Sequence, residues 1–236
     1  MILSDEGRVV AESFTLFLAR ALASDGEHFW LRTRGAKPKE KTSKKGDTKA
    51  KGFGPADFVD PDGELLAWVE QERGRPVIRW ELTITFAELQ RGATQIVPQL
   101  VLELRDERLR DWRELRRLEA PSKKAKAVFH WATFTKSSGS SKRLKPRNVR
   151  LDIVGRRGTR LSVRYAIELQ PPGSPSLTLE GDVAVDFNAF CVTADVLGDE
   201  PSVEAAAKML RAVAAPSSFG KLALTRLGEV EAKPRG

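Results

Sequence analysis

Residues 64–83, ELLAWVEQERGRPVIRWELT, fold onto themselves in one register. A two-residue loop at Arg73-Gly74 sets Glu72 opposite Arg75, Trp68 opposite Arg79, Val69 opposite Ile78, Ala67 opposite Trp80 and Leu65 opposite Leu82. Leu65, Ala67 and Val69 each then meet an apolar partner, and a slip by one residue would turn the whole set to the other face. A second pair of strands reads the same way. Centred near Gly173, it places Arg164 opposite Asp182, Arg160 opposite Asp186, Val163 on Val183 and Leu161 on Val185, whereas a shift of two residues would set Glu168 against Glu180. Two antiparallel hairpins therefore anchor any fold for this chain.

The remaining elements are read around them. Val10, Phe14, Phe17, Leu18, Ala21 and Leu22 share one helical face, which predicts a helix over 5–23, and EHFWLRTR (27–34) reads as a short strand. DPDG at 60–63 has turn chemistry. A strand over 93–105 alternates Leu100, Leu102 and Leu104, with Pro98 marking an edge or a bulge. DERLRDWRELRRLEA (106–120) predicts a helix with Leu109, Trp112, Leu115 and Leu118 inward. A strand over 126–136, an alternation of Val149, Leu151 and Ile153, and a helix over 201–213 behind Pro201 complete the order. The expected fold class is α+β: antiparallel sheets in pseudo-duplicated ββββα units, 1–120 and 121–236, with an additional N-terminal helix and one compact body. Local likeness of VIRWELTI (77–84) to SVRYAIEL (162–169) accords with such an internal repeat.

With 236 residues and 41% hydrophobic residues the chain is long and apolar enough for a sizeable core. The single cysteine, Cys191, makes no internal disulfide and suits a reducing compartment. Asp5, Glu6 and Arg20 flank or interrupt the apolar stretch near the N-terminus, so it reads as a helix and not a signal sequence. No run approaches the roughly 18 apolar residues of a membrane span, and a cytoplasmic location is expected.

Few catalytic groups stand out. His28 and His130 each lie near an aromatic in an apolar strand and read as structural; one cysteine excludes Cys/His zinc spacing. DFVDPDGE lacks the ligand spacing of a calcium loop. Glu180, Asp182 and Asp186 share a strand face, but the arginines expected opposite account for them. No phosphate-cradling glycine loop occurs. The chain reads as non-enzymatic, with no cofactor or metal expected.

What the sequence does offer is segregated charge. Formal net charge is +8, yet 35–54, 121–150 and 156–164 carry +18 between them and the remainder −10. The candidate nucleic-acid-binding residues are Lys37, Lys39, Lys41, Lys44, Lys45, Lys49 and Lys51 of the first tract. From the second come Lys123, Lys124, Lys126, Lys136, Lys142, Arg143, Lys145 and Arg147, with Trp30 and Trp131 as base-stacking platforms. The repeated four-strand-plus-helix order over 27–214, with KAKAVF (124–129) similar to the Lys-Gly-Lys-Ala-Ala-Leu strand motif at Lys124, Lys126 and Ala127, resembles the Whirly and PUR-alpha group. That resemblance implies binding of single-stranded DNA or RNA across a sheet, and self-association. The leading expectation is a binder of single-stranded nucleic acid with low sequence specificity. The alternatives are a protein-interaction module (adaptor, inhibitor or assembly subunit) and a metal-dependent nuclease. Expected partners are nucleic acid, a protein partner or further copies of the chain, and no membrane.

Overall fold

The structure, a computed structural model, describes residues 2–3, 9–11, 53–91, 94–134, 139–170, 175–197, 201–225 and 228–236. Two short strands, β1 (Ile2–Leu3) and β2 (Val9–Ala11), pair with each other. Twelve more form one mixed sheet. In chain order they are β3 (Asp62–Glu72), β4 (Arg75–Thr85), β5 (Leu89–Arg91), β6 (Thr94–Leu104), β7 (Arg117–Ala120), β8 (Ala125–Phe134), β9 (Gly139–Leu144), β10 (Asn148–Arg157), β11 (Arg160–Leu169), β12 (Leu177–Val192), β13 (Phe219–Leu224) and β14 (Val230–Pro234). The helices are a single turn, α1 (Ala194–Leu197), and α2 (Val203–Val213).

Both hairpins have the registers read from the sequence. The β3–β4 pair matches at Leu65 and Leu82, Ala67 and Trp80, Trp68 and Arg79, Val69 and Ile78, and Glu72 and Arg75. The β11–β12 pair sets Arg164 on Asp182 and Arg160 on Asp186, with Glu168 opposite Thr178. α2 ends at Val213 as expected and begins two residues later than expected, capped by Ser202, whose hydroxyl accepts from the Ala205 N–H at 3.1 Å.

The α+β class with repeated ββββα units is not what forms. The chain is mostly β, and its sheet runs β7-β10-β11-β12-β3-β4-β6-β8-β9, two antiparallel meanders joined by a parallel contact between β12 and β3. The helix expected over 106–120 is the largest departure. Residues 112–114 make one 3-10 turn, with the Asp111 carboxylate accepting from the Arg113 N–H at 3.0 Å, and β7 then pairs with β10. Trp112, Leu115 and Leu118 do go inward. Their three-residue spacing suits a 3-10 turn as well as a helix, and Leu118 and Ala120 alternate with Arg117 and Glu119 as a strand requires. The open edge of β10 decides between the two, because β7 supplies partners for its backbone groups. The repeat order behind the Whirly-like resemblance is absent with it. Of the helix expected over 5–23, the described Val9–Ala11 lie in β2; the rest, and the strand expected over 27–34, lie outside the described residues.

Two smaller differences have local causes. The turn expected at 60–63 is confined to Asp60, at φ 46°, and β3 already begins at Asp62. Pro98 is not on an edge strand: β6 lies between β4 and β8, but Pro98 falls in the gap where β4 has ended and β5 has not begun. Its carbonyl accepts from the Phe86 N–H there at 3.0 Å, and that gap is where a missing donor costs least.

The sheet coils so that its two meanders face one another. Phe86, just beyond β4, touches Tyr165 of β11 and Phe129 of β8 at ring-centroid distances of 5.8 and 6.1 Å. Trp80 of β4 meets Phe187 and Phe190 of β12 at 5.9 and 5.8 Å. α2 contributes Ala206 and Leu210 to the same core. The parallel junction needs close approach. A Cβ on Gly63 would lie 2.5 Å from Val185 Cγ2 and 3.0 Å from the Ala184 carbonyl oxygen. Gly63→Ala is therefore expected to cost about 1–3 kcal/mol in urea unfolding. Gly54→Ala, where no atom lies within 4 Å of the added methyl, is expected to be neutral. Equal stabilities for the two variants would contradict this account.

Candidate polyanion interface

β9 is the last strand of the sheet, and among the described residues no strand pairs with its outer edge. Cross-strand pairing with β8 sets Lys142 beside Trp131 and Arg143 beside His130. Lysine and arginine on a free edge are one way a sheet avoids pairing with its neighbours, so their presence alone assigns no ligand. Their surroundings say more. Lys123, Lys142, Arg143, Lys145 and Arg147 are exposed and have no ion pair among the described residues. Other cations of the same stretch are committed. Lys124 Nζ lies 2.6 Å from an Asp106 carboxylate oxygen, and Arg150 pairs with Asp152 at 2.8 Å. Lys126 is exposed opposite Glu103 of β6, with no ion pair among the described residues.

The lysine tract reaches this edge through its C-terminal end. Lys37, Lys39, Lys41, Lys44, Lys45, Lys49 and Lys51 lie outside the described residues, as do Trp30, His28 and Lys136. Phe53 is described, and its ring packs edge-on against Trp131 at 4.7 Å. Phe53, within the stretch 35–54, thus lies against the strand that pairs with β9.

The third stretch does not join them. Arg160 and Arg164 pair across strands with Asp186 and Asp182 at 3.8 and 3.2 Å, which also occupies two of the three carboxylates considered for a cation. Among the described residues no group of three or more His, Cys, Asp or Glu is placed to hold a metal. Between the two cationic regions, the outward face of β3, β4 and β6 is acidic. Glu70, Glu81 and Glu103 surround Arg79, and Glu70 and Glu72 bind Arg105.

Trp131 offers no stacking face. It is 4% exposed and closed in by Phe53, Phe58 and Phe129. Trp80 and Tyr165 are core residues, as their registers require, and Trp68 lies half-buried with the Arg79 guanidinium 5.8 Å from its ring centroid. An aromatic that sequence reading missed is Phe134, half-exposed on β8 opposite Gly139. A Cβ at Gly139 would stand 3.1 Å from the Phe134 ring, so the glycine leaves that face to the phenyl group. The glycine within a serine-rich loop was the available signal.

Two titratable groups elsewhere are perturbed by burial. The Cys191 thiol, 4% exposed, is pushed up to about 12 by burial and by the carboxylates of Glu231, Glu229 and Glu81, which leaves it no nucleophilic role at neutral pH. On β3, burial pushes the Glu64 carboxyl above its usual range. The amide N–H of Asn188, 3.3 Å away, opposes this, and Glu81 and Asp62 reinforce it. The native state then holds a proton more tightly than the unfolded chain, so Glu64 lowers stability as pH rises from the ordinary value of 4.5 through its raised one. Glu64→Gln is expected to be more stable than the parent at neutral pH, with the difference vanishing below the ordinary carboxyl range. Denaturant titrations at acid and neutral pH check the sign.

Compared with protein-family models, curated proteins and solved structures, the chain shows no match. Among the described residues no helix is long and apolar enough to cross a membrane.

Proposed function

We propose that the protein binds single-stranded nucleic acid without catalysis, by its phosphates, along the β8–β9 edge. The observation that supports this reading is the contact between Phe53, at the end of 35–54, and Trp131, whose strand also pairs with exposed Lys142 and Arg143. A surface of unpaired cations with a buried neighbouring tryptophan favours backbone contacts over base stacking, hence low sequence preference. Fluorescence anisotropy with single- and double-stranded oligonucleotides at two ionic strengths tests it. Tighter binding of the single strand and a steep loss with salt are expected. Salt-independent binding, or no binding at low salt, would remove the reading.

A second reading rests on the free edge of β9, to which an acidic extended peptide could add a strand. A protein partner that survives nuclease treatment and high salt in a pull-down would favour it.

A further inference from the structure

Away from that edge, two guanidinium groups converge where an anion would be expected. β10 pairs with β11 through a register shift between Ile153 and Gly155. Before the shift Val149 and Leu151 point into the core; after it Arg156 stands opposite buried Leu161, so the bulge turns an arginine inward. Arg156 Nη2 donates to the Leu115 carbonyl, and Arg116 Nη1 donates to the same oxygen at 3.1 Å and to the Arg113 carbonyl at 2.6 Å. The two side chains therefore share one acceptor, with no carboxylate between them. The acid near Arg156, Asp111, is engaged by Arg113 through Nε and Nη2 at 2.6–3.0 Å. Arg156 Nε is buried and has no acceptor.

We infer that Arg116 and Arg156 form a phosphate-type oxyanion site at the β10 bulge. A doubly charged tetrahedral anion matches two guanidinium charges, and its oxygens can accept from Arg156 Nε and from the Arg116 fork together. A carboxylate would neutralise only one of the two charges. Arg116 is exposed, so its end of the pair is open to solvent. Burial, and then the Arg116 charge, depress the Arg156 guanidinium, an unfavourable pairing that a bound dianion reverses. The site does not depend on the basic edge. Its phosphate can be free or a terminal monoester of a polynucleotide, either of which carries two charges, whereas an internal phosphodiester carries one.

Inorganic phosphate, titrated against chloride at matched ionic strength, tests this through the side-chain Nε–H resonance of Arg156 and the melting temperature. A saturable resonance shift with a rise in melting temperature is expected. Arg116→Gln should weaken half-saturation about tenfold or more. Arg156→Lys, which keeps the charge but lacks Nε–H, should abolish the response; Arg116→Gln carries the test alone if that variant folds poorly. Lys142→Glu with Arg143→Glu should titrate phosphate as the parent does, which separates this site from the β8–β9 edge. A terminally phosphorylated oligonucleotide that shifts the same resonance where its dephosphorylated form does not assigns the site to a terminal phosphate, and a response to inorganic phosphate alone assigns it to the free anion. No saturable shift, an equal response to chloride, or an unchanged midpoint in Arg116→Gln would overturn it.

Discussion

Trp80→Ala is expected to lower unfolding free energy by about 3–5 kcal/mol, the range for deleting a buried large aromatic. Trp80 is 1% exposed, on β4, and its ring rests on Phe187 and Phe190 of β12. It therefore joins the two meanders across the interior as well as filling volume. The cavity left behind would open between two sheet halves that are also joined by the parallel β3–β12 ladder and by the Phe86–Tyr165 contact. Trp80 Nε1 is buried without a partner, so removing the indole orphans no acceptor. Trp80→Phe should for that reason lose less than about 1.5 kcal/mol. Urea unfolding of both variants checks the pair. A loss below about 1 kcal/mol for the alanine variant would mean that the halves are held together by something other than this contact.

The second large effect concerns binding. Lys44→Glu, Lys45→Glu, Lys142→Glu and Arg143→Glu together are expected to abolish retention on single-stranded DNA. Each phosphate contact to a single strand contributes about 0.7 to the slope of log K against log salt, so loss of four contacts should flatten that slope by about 3. Lys142→Glu with Arg143→Glu alone should remove about half of this. Lys124→Glu with Arg150→Glu is the contrast. Those residues already pair with Asp106 and Asp152, and their reversal should alter stability more than the salt slope. An unchanged slope in the fourfold variant would sink the proposed function while leaving the Arg116–Arg156 site standing.

Gly63 and Phe134 show how much of this was legible beforehand. Phe134 lies in a stretch whose pattern reads correctly as strand, whereas Gly63 reads as the end of a turn and lies in β3. What each does depends on a neighbour more than a hundred residues away, or on the partner across a hairpin. Lys142 and Arg143 were visible as charge, and the cross-strand pairs of Arg160 and Arg164 as register. That Lys142 and Arg143 are unpaired while Lys124 and Arg150 are not depends on where Asp106 and Asp152 come to lie. The burial of Trp131 is a case of the same kind, since its cover, Phe53, comes from the far end of a polar tract.

By itself, the sequence determined the two hairpin registers, the inward set of the strands, and the stop of α2. These are local: alternation, turn residues and opposite charges at fixed spacing act between neighbours along the chain or across one loop. Tertiary structure decided that 106–120 would not be a helix, that two meanders would meet in a parallel junction at Gly63, and that a bulge would turn Arg156 inward. Those outcomes depend on unpaired strand edges and on space between distant side chains, quantities that come into being only when the sheet coils.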